Sequence, residues 1–227
     1  NGLGDGTPLN DSVFTSAIDT VVALDVEGLS ISDLTGIEAF ALLENLNCSD
    51  NNLTDTLELS ALTEFSNFQY LDCSENSISW LNIPNSTITG ALKHIVANDN
   101  NIDSLYAGDH ESALIYLEVS NNPLDILDVS SFLDLENLQA QNTNLSVLDV
   151  SANTALWFLN CADNNLSALD VSNNTLLERL ECNGNNLSSL DVSAITGLNK
   201  LDCSFNNITS LDVSMHSSLQ IFWCIDN

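Results

Sequence analysis

Positive charge is almost missing from this chain. Three of its 227 residues are basic (Lys93, Arg179 and Lys200) against 32 acids, for a formal net charge of −29. That shortage argues against nucleic acid as a partner, because phosphate binding needs clustered Lys and Arg. It argues equally against adsorption to anionic lipid. The acid excess reads as solubility through self-repulsion, usual in secreted or salt-exposed proteins. No apolar run approaches the ~20 residues of a membrane span. No signal peptide opens the chain, so Asn1 reads as the start of a processed or trimmed chain. Also missing are a nucleophile elbow, a phosphate loop, a metal-binding His pair and a D-x-[DN]-x-[DN]-G calcium loop. No enzyme is expected. Acids are so frequent that a carboxylate pair at glycosidase separation arises by chance. The enzyme alternative, a β-helical polysaccharide lyase or hydrolase, rests on fold analogy alone. Zinc is not expected either, since there is no C-x-x-C pair and His94, His110 and His216 occupy unrelated positions.

What the chain does have is a repeat. The stretch 156–175, LWFLNCADNNLSALDVSNNT, divides into L-x-x-L-x-C-x-x-N-x and L-x-x-L-D-V-S-x-N-x. Copies in the same frame start at Leu114, Leu135, Leu156, Leu177 and Leu198, and a partial copy starts at Leu219. Fixed self-similarity of this length predicts a solenoid. One small apolar column runs through Val26, Cys48, Cys73, Ala97, Val119, Ala140, Cys161, Cys182, Cys203 and Cys224, at intervals of 22, 25, 24 and 22 and then five of 21. All six cysteines lie in it. A site that accepts Cys, Val or Ala is a buried small site, and neighbouring thiols with parallel Cβ vectors suit a disulfide poorly. Six reduced core thiols are expected.

The L-x-C and L-x-V triplets alternate inward and outward with the period of a strand. Two short strands per rung predict two parallel sheets around a thin Leu-filled core. Ten rungs at ~4.8 Å make a rod roughly 45 Å long. The chain reads as one mostly-β domain over 1–227, with at most short helical turns in the early repeats. It comprises an initial cap-like segment (1–20), irregular repeats of 22–25 residues (21–113), five regular 21-residue repeats (114–218) and a truncated terminal rung (219–227). Asp33 is expected to cap a short helix through Ile37, Phe40 and Leu43. The extra residues around 61–67 and 84–90 are expected as short loops or a helical turn. The Asn at 51, 76, 100, 122, 164, 185 and 206 is expected to form a structural ladder, bonding backbone groups of its own and adjacent rungs.

The pattern L-x-x-L-x-C-x-x-N-x-L resembles the leucine-rich repeat consensus, with Cys in a core Leu position. Its nested half, L-x-x-L-D-V-S-x-N, is similar to the 21-residue bacterial class called IRREKO-type repeats. The opening SAIDTVVALDVEGLSISDLTGIEAFALLENLNC resembles the amino-terminal cap region of such repeats in secreted proteins of marine and gut Bacteroidetes. The closing WCIDN resembles the passage into a carboxy-terminal cap. The resemblance implies extracellular or surface-exposed binding, often as one module of a longer secreted protein. A helical segment before the first rung and a second half-strand after Cys224 are absent relative to that family. The chain therefore reads as a fragment whose apolar Ile221, Trp223 and Ile225 end is covered in the intact protein or by a neighbour.

Function is sought where the repeat is irregular, in the outward positions of the first strands. Tyr70, His94, Tyr116, Phe158, Arg179 and Lys200 occupy one such column and are the candidate ligand-binding residues. Aromatic faces among amides and acids suit protein or glycan recognition, and cross-rung packing is the competing explanation. For Arg179 and Lys200 the competing and cheaper explanation is charge compensation beside Glu181 and Asp202. On the second face Asp128, Asp149, Asp170, Asp191 and Asp212 form a column followed by Ser130, Ser151, Ser172, Ser193 and Ser214. Carboxylates stacked this closely need hydrogen bonds, raised pKa values or cations. Hydrogen bonding is the expected answer, with calcium the alternative and no other cofactor expected. The function expected is extracellular recognition, by protein–protein interaction or adhesion. Polysaccharide binding through the aromatic face and a spacer role in a larger secreted protein are the alternatives.

Overall fold

The structure, a computed structural model, describes residues 18–58, 68–82, 92–106 and 113–227. The segment before Ile18 and the extra residues at 61–67 and 84–90 lie outside the described residues. The strands in chain order are β1 (Ala23–Asp25), β2 (Asn45–Asn47), β3 (Thr54–Glu58), β4 (Tyr70–Asp72), β5 (Ser77–Asn82), β6 (His94–Val96) and β7 (Ser104–Tyr106). They continue with β8 (Tyr116–Glu118), β9 (Asn137–Gln139), β10 (Phe158–Asn160), β11 (Arg179–Glu181), β12 (Lys200–Asp202) and β13 (Ile221–Trp223).

The first half of every rung supplies one strand of a ten-stranded sheet in the order β1-β2-β4-β6-β8-β9-β10-β11-β12-β13. All pairings are parallel and in register, so Leu71 meets Ile95 and Leu159 meets Leu180. The alternation drives this arrangement. The central residue of each interior strand (Leu46, Leu71, Ile95, Leu117, Leu138, Leu159, Leu180, Leu201) is fully buried, while its two neighbours face out. The small column follows the strand: Cys48, Cys73, Ala97, Val119, Ala140, Cys161, Cys182 and Cys203 have no exposed surface. The thiols are all unpaired; five are core residues and Cys224, on the last rung, is exposed. Five of the six therefore fit the expected core position, and Cys224 is exposed in this structure.

The second face departs from the expected strand in every rung. Its sheet has three strands, β3-β5-β7, all in the early repeats. In the regular repeats the Asp of L-D-V-S takes the backbone N–H of the Ser two residues on, at 2.9 Å in each of the five rungs. This Asx turn bends the chain where alternation alone predicts a straight strand. The early rungs carry no Asp-x-Ser at this place, and β5 reads Ser-Ile-Ser-Trp-Leu-Asn, rich in β-formers; these rungs pair as a sheet. Asp33 does the same as the column aspartates: it accepts from Thr35 N at 2.8 Å and Thr35 Oγ1 at 2.7 Å. The helical turn here is a 3₁₀ turn at Ile37–Ala39 beginning after Gly36, so Asp33 closes a turn ahead of it rather than capping a helix.

Two residues after the small column the backbone enters the left-handed region in all ten rungs, from Gly28 (φ 66°) to Asp226 (φ 53°). Gly, Asn and Asp dominate there because their penalty is smallest. Gly184 takes this position at φ +67°, where an added Cβ would meet the Asp163 side chain. The turn aims the next residue, the ladder Asn, inward. Asn164 donates to Ala140 O (2.8 Å), Cys161 O (3.1 Å) and Ala162 O (3.0 Å), and its Oδ1 accepts from Leu145 N (2.9 Å) of the preceding rung. Thr143 stands in the ladder in place of Asn in its rung, its hydroxyl within bonding distance of Ala140 O at 2.8 Å and Asn164 Oδ1 at 3.1 Å. A second ladder lies on the opposite turn. Asn153 and Asn174, both fully buried, donate to Val129 O and Phe132 O and to Val150 O and Asn153 O. His216 continues that column through Nε2, 3.0 Å from Val192 O.

Candidate functional site

Register places all six candidate residues in one line across the ten-stranded sheet. Tyr70 pairs with His94, His94 with Tyr116, Tyr116 with Asn137, Asn137 with Phe158, Phe158 with Arg179 and Arg179 with Lys200. Each heads a strand whose next residue is buried, so the side chains stand on the outer surface.

The line has an aromatic end and a cationic end. His94 lies between the two tyrosine rings, with centroids 6.1 Å apart on either side and planes tilted by 41° and 36°. These separations are within the range of favourable aromatic pairs. Partial burial, then the neighbouring Lys93, holds the His94 imidazole below its usual pKa. The Tyr116 hydroxyl donates to Glu118 Oε2 at 2.7 Å and accepts from Gln139 Nε2 at 2.7 Å. Burial first, and the Glu118 carboxylate second, push that phenol up. Tyr70 reaches Asp72 more loosely, at 3.5 Å, and is raised by the same kinds of cause.

At the other end the Arg179 guanidinium sits 4.3 Å over the Phe158 ring, and Phe158 is consequently buried rather than presented. Trp157 flanks it at 5.9 Å and keeps part of its ring exposed. Lys200 Nζ lies 5.2 Å from the Trp223 ring. Both cations converge on one oxygen, Glu181 Oε1, at 3.2 Å from Arg179 and 2.7 Å from Lys200. Among the described residues these are the two ion pairs, and both end on Glu181.

The adjacent outward column explains which positions are structural. Where it holds a short acceptor, that side chain closes the following turn: Asn47 to Ser49 N, Asp72 to Ser74 N, Asn160 to Ala162 N and Asp202 to Ser204 N. Where it holds Glu118, Gln139 or Glu181, the longer side chain reaches along the face to Tyr116, Arg179 or Lys200 instead. These three side chains contact the candidate line; Glu181 was read from the sequence as a charge partner of Arg179 and Lys200, while Glu118 and Gln139 were not among the sequence candidates. The signal was present in the length difference between Asp/Asn and Glu/Gln at one column. Asn137, in the middle of the candidate line, was also missed.

The second-face carboxylates are engaged individually. Hydrogen bonds from the serine two residues on hold Asp128, Asp149, Asp170, Asp191 and Asp212 below their ordinary pKa of 3.8, against the opposing effects of burial and carboxylate neighbours. Hydrogen bonding, one of the ways to relieve a carboxylate column, is present at all five aspartates. Among the described residues no group of three or more His, Cys, Asp or Glu is placed to hold a metal ion, and no helix is long and apolar enough to cross a membrane.

No protein-family model and no curated protein sequence matches the chain. Solved structures do. The functional domain of InlJ from Listeria monocytogenes, which includes a cysteine ladder, is 28% identical over 94% of this chain with a TM-score of 0.63. The chain spans 55% of the length of that InlJ chain. An internalin, inlF, also from Listeria monocytogenes, aligns over 98% of this chain and 72% of its own at 21% identity and a TM-score of 0.69. A chain of the LRIM1/APL1C complex aligns over 92% of this chain and 45% of its own at 19% identity and a TM-score of 0.69. The chain shares its fold with these structures, and that fold is the leucine-rich repeat solenoid.

Proposed function

We propose that the chain is a non-catalytic recognition module that binds a protein partner across the outer surface of the ten-stranded sheet. One observation carries this reading. Variation along the array is concentrated in the outward columns of that sheet, where Tyr70, His94, Tyr116, Phe158, Arg179 and Lys200 stand in a single register line, while the second face of the regular repeats is a uniform Asp and Ser lattice. A scaffold needs only the regular columns, and residues that break them are left to a ligand. Support also comes from the solenoid neighbours, one of which is a chain of a two-protein complex. The setting proposed is extracellular, secreted or on the cell surface of a Bacteroidetes-type marine bacterium, with adhesion as the task. The acidic composition and the run of 21-residue intervals typical of the IRREKO class favour it. No cofactor is needed for this role, and the Asp column acts as turn closure.

Photo-crosslinking tests the reading. A benzophenone side chain at Gln139 is expected to trap a protein from the native surface fraction, and the same group at Ser172 is expected to trap none. Equal trapping at the two positions would remove the sheet as the binding face. A second reading, polysaccharide binding, is favoured by the Tyr70–His94–Tyr116 ring row. It predicts glycan-array binding that disappears in Tyr70→Ala and Tyr116→Ala.

A further inference from the structure

The middle of the face holds an acceptor with nothing to accept. Asn137 is 9% exposed, its Oδ1 is buried without a partner, and its carboxamide makes no hydrogen bond among the described residues. Buried amides are normally satisfied. The Asn153 and Asn174 oxygens of the second ladder also lack a partner, but their NH2 groups donate to backbone carbonyls, whereas the Asn137 amide is engaged through neither end. Asn137 differs because it belongs to neither turn. It stands in register between Tyr116 and Phe158. One rung away Glu118 spends Oε2 on the Tyr116 hydroxyl, and no bond among the described residues ends on Oε1.

Cations of this chain do not satisfy these acceptors. Lys93 is the one basic residue between positions 45 and 142. Among the described residues neither Asp72 nor Glu118 forms an ion pair, while Glu181 takes both Arg179 and Lys200. The face therefore offers carboxylates, the Asn137 carboxamide and the Tyr70–His94–Tyr116 ring row on one side, and is bounded by two cations on the other. That combination matches a guanidinium or ammonium donor, which bonds carboxylate and amide oxygens and stacks on aromatic rings. A net charge of −29 draws such a partner in from a distance.

We infer that the stretch of the face from β4 to β10 receives an extended arginine- or lysine-rich segment of a protein partner, with Glu118 and the Asn137 carboxamide as its central acceptors. This rests on the recognition reading above and names the chemistry of its partner. Tyr116 or Phe158 swings aside to admit a donor to Asn137 Oδ1, and Arg179 with Lys200 sets the end of the segment by repulsion.

The test is fluorescence anisotropy with a labelled alternating Arg-Ser peptide and its Glu-Ser counterpart on the full chain, at low salt and at about 0.15 M. The Arg-Ser peptide is expected to bind and the Glu-Ser peptide not. Glu118→Gln and Asn137→Leu are each expected to weaken binding about tenfold, and Asp149→Asn on the second face less than about twofold. Asn137→Leu leaves the net charge unchanged, so its loss cannot come from a diffuse field. Asn137→Asp, a substitution that keeps the acceptor if the Leu variant does not fold, is expected to bind more tightly. Equal losses for Glu118→Gln and Asp149→Asn, weaker binding by Asn137→Asp, or no binding of the Arg-Ser peptide would each overturn the inference. A protein trapped at Gln139 that the Arg-Ser peptide fails to displace would leave the recognition reading standing and remove this assignment alone.

Discussion

A cysteine in this array is a small apolar residue first and a thiol second. Burial pushes Cys48 and Cys161 up to about 12 and Cys203 to about 11, and it raises Cys73 and Cys182 well above the ordinary thiol value. Thiolate is the reactive form, so these five are protected both by packing and by charge. Titration of the native chain with Ellman's reagent is expected to release about one equivalent, from Cys224, and six in urea. Two or more fast native equivalents would mean that the rungs open readily. The shared column was legible because Val and Ala alternate with Cys in it. Phe205 was not legible. It occupies the left-handed position filled elsewhere by Gly, Asn, Asp and, once, Glu, with φ 54° and 57% exposure. Backbone conformation at one residue leaves no mark on hydrophobic periodicity.

The rung is the element, and hydrogen bonds across it decide which sequence columns are fixed. Asn164 satisfies three carbonyls and two backbone N–H groups in a buried turn. Asn164→Leu leaves those groups unpaired, and a loss of about 3 kcal/mol or more is expected in urea denaturation. A loss under about 1 kcal/mol would mean that water replaces the amide. The first ladder was readable from spacing, but Thr143 was not, because its role rests on the hydroxyl lying within reach of Asn164. The Asp column was read correctly as hydrogen-bonded and wrongly as strand, since alternation cannot distinguish a strand from an Asx turn closed every 21 residues. Chelator is expected to leave the thermal midpoint unchanged, and a large drop would place cations in the column. The depressed carboxylates also fix a pH dependence. Each contributes stability that is present above its unfolded value of 3.8 and lost as pH falls through the lower folded value. The stability difference between the natural chain and Asp149→Asn with Asp170→Asn should therefore shrink toward zero below pH 3.8.

Over the whole molecule, local pairs and the total charge act with opposite dependence on salt. Two ion pairs sharing Glu181 are what the described residues offer for screening to weaken, and partly exposed pairs of this kind contribute at most ~1 kcal/mol each. Against them stands self-repulsion among 32 acids on a rod whose rungs keep like charges close along its length. At ~0.01 M salt the Debye length is about 30 Å, so carboxylates several rungs apart repel, and at ~1 M it falls to about 3 Å and only nearest neighbours do. Repulsion has many more terms than attraction, so salt is expected to stabilise. The thermal midpoint measured by calorimetry should rise between ~0.01 and ~0.5 M sodium chloride. Charge reversal at the second face, such as Asp149→Lys with Asp191→Lys, should reduce that rise by removing repulsion before salt does. The opposite slope, a midpoint falling with salt, would mean that the Glu181 cluster holds the later rungs together more strongly than its exposure suggests. That outcome would move Arg179 and Lys200 from a ligand face to the scaffold.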